Sequence, residues 1–298
     1  MRSLHHVLAP AKLNLFLHIT GRRDDGYHLL QSVFMLIDWC DTLHFDVRDD
    51  GVIEREDLTV TLPPDDLVMR AAQSLQRASG TPFGAHIAIE KHIPAQAGMG
   101  GGSSDAATTL LALNRLWGLN WPLSQLMPLG LALGADVPFF LGGHNAWVEG
   151  IGEKIQEVAL PASHYLIVTP KTHVSTAQIF NAEELTRNTF PTTIAAFSEM
   201  QNLSHIGEEK QNQVFHNDLE VVVCQQYPAV TACLDWLSQF STARMSGSGA
   251  SVFIALKTQA EANKILQSLP EKIANTEIFC VSAHGLEKHP LYDLCSET

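Results

Sequence analysis

The stretch from Pro94 to Thr108, PAQAGMGGGSSDAAT, has residue types and a spacing that suit phosphate binding. Its glycines lie close together, at Gly98, Gly100, Gly101 and Gly102. Glycine permits positive φ and has no Cβ, so successive backbone N–H groups can converge on phosphate oxygens. A helical pattern follows at once, and the N-terminus of a helix favours an anion. We therefore predict a phosphate-binding loop followed by a helix, with Ser103 or Ser104 as N-cap.

Other glycine-rich patterns fit this stretch less well. A dinucleotide fingerprint that starts at Gly98 would need glycine in place of Ser103 and an acidic residue about 20 positions later. A Walker P-loop needs Lys directly before its Ser or Thr, but Gly102 stands there. A flexible linker is the remaining alternative, although the stretch lies between a strand-like segment, residues 86–93, and the helical pattern. Cationic groups for the phosphate must come from elsewhere in the chain.

Polar side chains in two other segments have strongly apolar neighbours. Lys12 and Asn14 lie two positions apart in AKLNLFLHI, on one face of a predicted strand. Asp136 precedes an apolar run in which Pro138 predicts a turn, with Val137 extended rather than helical. Burial of such groups is costly without a partner, so Lys12 is a candidate partner for Asp136. A solvated strand face and a surface turn aspartate are the alternatives.

The composition indicates a folded protein of enzyme size. The 298 residues are 45% apolar and 17% charged, and the net charge is −13. This charge opposes nucleic-acid binding and favours a locally built phosphate site with Mg²⁺. Five scattered cysteines without C-x-x-C spacing indicate reduced thiols in a cytoplasmic protein. No apolar run approaches the roughly 18 residues of a membrane span, and no signal peptide is recognisable, so no membrane partner is expected.

Two α+β parts are predicted to position these residues. The pattern changes near Pro161, so we place domains at 1–160 and 161–298. The second part is predicted as strand, two helices and strand, then strand, helix and strand. Between its middle strands lies a second small-residue loop with Gly247, Ser248 and Gly249. The stretch 186–213 has no clear periodicity.

Three motifs in the correct order resemble the GHMP kinase superfamily. They are PAKLNLFLHITGRRDDGYH, PAQAGMGGGSSDAAT and MSGSGASVF, and the resemblance runs from about Pro10 to Cys295. It implies a ribosomal protein S5 domain 2-like N-terminal domain and a ferredoxin-like C-terminal domain. The stretches GYHLLQSVF, LGADVPFFLGG and EGIGE narrow the implied activity. This is ATP-dependent phosphorylation of the 2-hydroxyl in the methylerythritol part of a cytidine diphosphate sugar alcohol, in the methylerythritol phosphate route to isoprenoids.

The resemblance also implies roles for the residues singled out above. Asp136 would accept the hydroxyl proton, and Lys12 would hold that carboxylate and offset developing charge. ATP would be bound by Pro94, Ala95, Gln96, Ala97, Gly98, Met99, Gly100, Gly101, Gly102, Ser103 and Ser104. The hydroxyls of Ser103 and Ser104 can reach Mg²⁺ or phosphate, but no dedicated metal ligand is assigned. The loop would be supported by Gly247, Ser248 and Gly249. Adenine would lie between the helix that starts near Asp66 and the glycine loop.

On the acceptor side, the resemblance implies a cytosine site. Asn14 would contact the substrate near the reacting centre. Tyr27 and His28 would meet the cytosine through a stacked ring and a hydrogen-bonding neighbour. Phe180 would stack on the other face of the base, and Thr176 would lie in the same substrate-facing stretch.

Two other functions remain as alternatives. Another GHMP kinase, for mevalonate or homoserine, would share the ATP site, but Tyr27, His28 and Phe180 argue against it. A nucleotide-binding regulator that has lost catalysis is the second alternative. The presence of both Lys12 and Asp136 argues against that function.

Overall fold

A computed structural model describes residues 1–161, 163–202 and 214–292 of the chain. The strands are β1 (Ser3–Arg22), β2 (His28–Arg48), β3 (Ile53–Asp57), β4 (Gly84–Glu90), β5 (Ala146–Gly150), β6 (Lys154–Glu157), β7 (His164–Pro170), β8 (Ala243–Met245), β9 (Val252–Leu256), β10 (Lys272–Ile273) and β11 (Thr276–His284). The helices are α1 (Leu67–Ser79), α2 (Gly101–Leu116), α3 (Leu123–Leu133), α4 (Val137–Gly142), α5 (Thr176–Asn181), α6 (Ile194–Asn202), α7 (Asp218–Gln226), α8 (Pro228–Leu237) and α9 (Gln259–Leu266).

The long antiparallel pair β1 and β2 is the centre of the first sheet. The strand order is β3-β4-β2-β5-β6, and β1 pairs along β2. The other edge of β2 is shared, because β4 pairs with residues 42–48 and β5 with residues 30–34. Helices α1 to α4 contribute to a core with these strands, which includes Phe45, Leu75, Leu110 and Phe139. Residues 9–19 of β1 are buried without a break, so the polar side chains of this segment lie in the interior.

The second sheet has the strand order β10-β11-β7-β9-β8, and its neighbours are antiparallel. Without the short hairpin strand β10, the order β11-β7-β9-β8 is that of a ferredoxin-like β-α-β-β-α-β unit. Residues of α7, α8 and α9 complete its core, which includes Leu166, Val223, Leu234, Ile254 and Ile265. The predicted ferredoxin-like second part is therefore confirmed.

A third core joins the two sheets. It combines Phe16 and Trp147 from the first sheet with Tyr165 and Phe253 from the second. The predicted boundary near residue 160 lies in the connection from β6 to β7. Because buried apolar contacts cross between the two parts, division into 1–160 and 161–298 stays a prediction.

Two local predictions near the glycine loop are wrong. Neither Ser103 nor Ser104 is the N-cap of α2, because Gly100 occupies that position with φ 70° and the serines lie in the first helical turn. Val137 is helical rather than extended, since α4 begins there. Pro138 occupies the first turn of α4, where a proline is tolerated because the missing N–H would have no intrahelical partner.

Candidate active site

The glycine loop lies directly against the second small-residue loop. Gly98 has φ 76°, and a Cβ on it would lie 2.1 Å from the carbonyl oxygen of Ser246. The Ser246 hydroxyl donates to the Gly98 carbonyl oxygen at 2.9 Å, and the Ser251 amide donates to the Ala97 carbonyl oxygen at 3.1 Å. Only glycine fits at this crossing. The contact places Gly247 and Gly249 against Gly98, and the support of the glycine loop by Gly247, Ser248 and Gly249 stays a prediction.

Lys12 lies beside the same loop in the interior. Its side chain is 4% exposed, and its Nζ is 3.7 Å from Oδ2 of Asp136, whose side chain is 33% exposed. The Lys12 ammonium also donates to Oδ1 of Asn14, and its backbone N–H donates to the Met99 carbonyl oxygen at 3.0 Å. Burial lowers the pKa of Lys12, and the Asp136 carboxylate opposes that change. The buried cation thus lies between strand β1 and an accessible carboxylate.

Asn14 is fixed by two buried serines that the sequence analysis did not single out. The Asn14 side-chain Nδ2 donates to the Ser32 hydroxyl at 2.9 Å, and its backbone N–H donates to the Ser246 hydroxyl at 3.2 Å. Since Ser246 also donates to Gly98, one hydroxyl connects β1 to the glycine loop. Serine is too common a residue for either contact to be visible in the sequence.

A cavity of about 380 Å³ opens along the glycine loop. It is lined by residues 94–98 and 100–103, and by Asp66, Leu67 and Lys91. Asp66 is the N-cap of α1, where its Oδ1 accepts from the Met69 amide at 3.1 Å and pairs with Arg55. The cavity therefore lies where adenine is predicted, between the start of α1 and the loop. The same Asp66 oxygen is already held by protein groups.

A buried ionic triad borders this cavity, because Lys91 and Asp105 are part of the cavity lining. Lys91 donates to Asp41 and to Asp105, and both carboxyl groups are buried. Asp41 also accepts from the backbone amides of His92 at 2.5 Å and Ile93 at 2.8 Å. Burial raises the pKa of Asp105 to about 8, and the nearby Asp41 adds to this shift while Lys91 opposes it. The triad ties the end of β4 to the first turns of α2.

Two of the predicted acceptor residues, His28 and Phe180, contact each other and are called the acceptor cluster below. The His28 and Phe180 rings are 5.2 Å apart between centroids, and Tyr27 beside them is 60% exposed. Thr176 Oγ1 lies 2.7 Å from the hydroxyl of Ser248, so α5 touches the second loop. This contact joins the helix that carries Phe180 to the small-residue loop that lies against the glycine loop.

Two family models match the chain: GHMP kinases N terminal domain over residues 66–144, and GHMP kinases C terminal over residues 193–275. The chain belongs to the GHMP kinase family. This GHMP kinase is 55% identical over 276 residues to a 4-diphosphocytidyl-2-C-methyl-D-erythritol kinase of Variovorax paradoxus, which covers 91% of this chain and 93% of that protein. It is 59% identical over 254 residues to the enzyme of the same name from Albidiferax ferrireducens, covering 85% of each chain.

The fold comparison agrees with these sequence relationships. A crystal structure of 4-(cytidine 5'-diphospho)-2C-methyl-D-erythritol kinase aligns with a TM-score of 0.75 and 30% identity, over 94% of this chain and 98% of that chain. The α+β GHMP kinase fold and the kinase class, with ATP as co-substrate, are therefore confirmed. None of the helices in the described ranges has the length and apolar character needed to cross a bilayer.

Proposed function

We propose that this GHMP kinase transfers the γ-phosphoryl group of ATP to the 2-hydroxyl of 4-diphosphocytidyl-2-C-methyl-D-erythritol, giving the 2-phosphate and ADP. The observation that carries the proposal is the buried Lys12 beside the glycine loop, with its ammonium 3.7 Å from Asp136. Relatives with 50–59% identity bear the name of this kinase, which supports the choice of acceptor. The acceptor cluster around His28 and Phe180 supports it independently.

In the proposed reaction, Asp136 takes the proton of the 2-hydroxyl as that oxygen attacks the γ-phosphorus. The bond between the γ-phosphorus and the bridging oxygen breaks, and ADP leaves with the electron pair. Asp136 suits this role because its carboxylate reaches solvent, whereas Lys12 is enclosed. Lys12 would orient Asp136 and offset the negative charge of the reacting groups. Asn14, held by Ser32, would contact the acceptor beside this pair.

The glycine loop and the start of α2 would bind the ATP phosphates through backbone N–H groups. Mg²⁺ would be held here chiefly by phosphate oxygens, with hydroxyl groups of the loop as protein ligands. Ser103 and Ser104 lie in the first turn of α2, and the buried Ser104 hydroxyl has no hydrogen-bond partner in the described part of the chain. These hydroxyls would hold Mg²⁺, which neutralises phosphate charge when bound.

The cytosine would lie between the rings of Tyr27 and Phe180, with His28 at its edge. Thr176 would face the acceptor beside the second loop, where it already contacts Ser248. Stacking of this kind is worth about 1–3 kcal/mol per base. The predicted cytoplasmic location stays a prediction.

The test is Mg²⁺-dependent release of ADP with three acceptors: the cytidine compound, mevalonate and homoserine. We expect turnover with the cytidine compound alone. Turnover with another acceptor would leave the phosphate site in place and reject the cytosine site. An enzyme that binds ATP but turns over none of the three would favour the regulator.

A further inference from the structure

Arg187 lies in the connection between α5 and α6 and binds two parts of the proposed cytosine site at once. Its Nε donates to Nε2 of His28 at 3.1 Å. Its Nη groups donate to the carbonyl oxygens of Leu185 at 3.0 Å, Phe180 at 3.2 Å and Ala182 at 2.5 Å. These carbonyls lie at and just after the end of α5, where helical carbonyl groups lack intrahelical partners. One guanidinium therefore fixes both the His28 ring and the backbone that carries Phe180.

The contact with Arg187 determines where His28 carries its proton. A guanidinium has N–H donors and no acceptor, so Nε2 of His28 must present its lone pair. A neutral imidazole has one donor and one acceptor nitrogen, which puts the ring proton on Nδ1. Burial lowers the pKa of His28, and the positive charges of Arg187 and Arg22 lower it further. Within the described ranges, no protein group pairs with Nδ1.

A fixed Nδ1–H donor can distinguish the two common pyrimidines. Atom N3 of cytosine is an acceptor, whereas N3 of uracil carries a hydrogen and is a donor. A donor facing N3 therefore favours cytosine, because uracil would leave two N–H groups opposed. We propose that Arg187 is a positioning residue that selects cytosine over uracil by holding His28 with its Nδ1–H toward the base. This inference rests on the proposed function and assigns its base specificity.

Arg187→Met is the variant that removes the donor while keeping an apolar stem. Without Arg187, His28 can carry its proton on either nitrogen, and the Nε2–H form can accept the N3–H of uracil. We expect the preference for the cytidine acceptor over its uridine diphosphate analogue, measured as the ratio of kcat/KM values at pH 8, to fall about tenfold or more. The effect should lie in KM, with kcat for the cytidine acceptor changed less than about threefold, because Lys12 and Asp136 are untouched.

The pH dependence provides a readout that a purely structural role would not change. In Arg187→Met, the pKa of His28 should rise because one of the two nearby positive charges is gone, and the protonated ring again donates from Nδ1. The preference for cytidine should therefore return in the variant as the pH is lowered from 8 and His28 becomes protonated. The unmodified enzyme should keep its preference over the same pH range, because Arg187 holds the Nδ1–H form in place. Nitrogen-15 shifts of the His28 ring should show the Nδ1–H form in the enzyme and a mixture in the variant.

Arg22→Met is the matched control. It removes the other positive charge near His28 but leaves the hydrogen bond from Arg187 in place. We expect it to keep the base preference. If Arg187→Met left the base preference and the His28 spectrum unchanged, the inference would be overturned, but the proposed function would stand. Failure of the unmodified enzyme to use the cytidine acceptor would instead overturn the proposed function, and the inference with it.

Discussion

At the scale of single residues, Lys12 and Asp136 differ in exposure, which suits them to different roles in the proposed reaction. The cation is enclosed and held by Asn14, whereas the carboxylate reaches solvent. Asp136→Asn keeps the shape but cannot accept a proton, so we predict that kcat falls about 100-fold or more. ATP affinity should change little, because the loop amides remain. ADP-release kinetics and calorimetric titration of ATP measure the two quantities.

Asp235→Asn is the control for this substitution. Asp235 is exposed on α8 and should tolerate the change without loss of turnover. Near-normal turnover in Asp136→Asn would exclude Asp136 as the base. A loss of ATP affinity equal to the loss in kcat would indicate a structural effect instead.

The sequence could predict polar residues that stand out from apolar neighbours, such as Lys12, Asn14 and Asp136. It could not predict the residues that hold them. Ser246 contacts Asn14 across 232 positions, and Arg187 contacts His28 across 159. Serine and arginine are ordinary surface residues, so their function here depends on tertiary contacts that no local pattern contains.

At the scale of elements, helix α2 and strand β4 are joined by the triad of Lys91, Asp41 and Asp105. Lys91→Met removes the cation and leaves two carboxyl groups buried together. Breaking a buried ionic pair costs about 3–5 kcal/mol, so we predict a loss of that order in the free energy of unfolding. Chemical denaturation measures it. Lys171→Met, at an exposed ion pair with Glu277, should change the free energy of unfolding far less, because solvent screens that pair.

Asp105→Asn should increase stability relative to the parent, whereas Lys91→Met lowers it. Burial and the nearby Asp41 raise the pKa of Asp105 and so favour its protonated form, and asparagine resembles a neutral carboxyl group in shape. A raised folded-state pKa stabilises the fold at low pH, and this contribution is lost as pH rises through the folded pKa of about 8. The variant lacks this titration. We predict that it gains stability relative to the parent between about pH 4 and 8, and a constant difference across that range would contradict the assignment.

The two wrong predictions of local structure concern residue types that occur at more than one position relative to a helix. Pro138 is typical of a residue that interrupts a helix, yet it lies in the first turn of α4. Ser103 and Ser104 have the types of N-caps, but the left-handed Gly100 takes that position. Of the unreadable stretch 186–213, the structure shows α6 over Ile194–Asn202, and residues 203–213 lie outside the described residues.

At the scale of the whole molecule, strand β1 belongs to every core cluster. Val7 packs in the first core, Phe16 in the third and Ile19 in the second. The motif order and the apolar patterning indicated the two α+β parts. They could not indicate that one strand joins both parts, because strand pairing and core membership depend on distant residues. We infer from this sharing that the chain unfolds as one cooperative unit.

Phe16→Ala tests that inference. The Phe16 ring is 1% exposed and lies 5.5 Å from Trp147 and 5.1 Å from Phe215, between centroids. Loss of such a ring costs about 3–5 kcal/mol, which should lower Tm by roughly 10 °C. The space left by the Phe16 ring would border both parts of the molecule. Near-ultraviolet circular dichroism and tryptophan fluorescence should therefore report one coincident transition, shifted as a whole. Phe190→Ala, at a ring that is 91% exposed, should leave Tm unchanged. Two separated transitions, of which Phe16→Ala moves only one, would show instead that the parts unfold as independent domains.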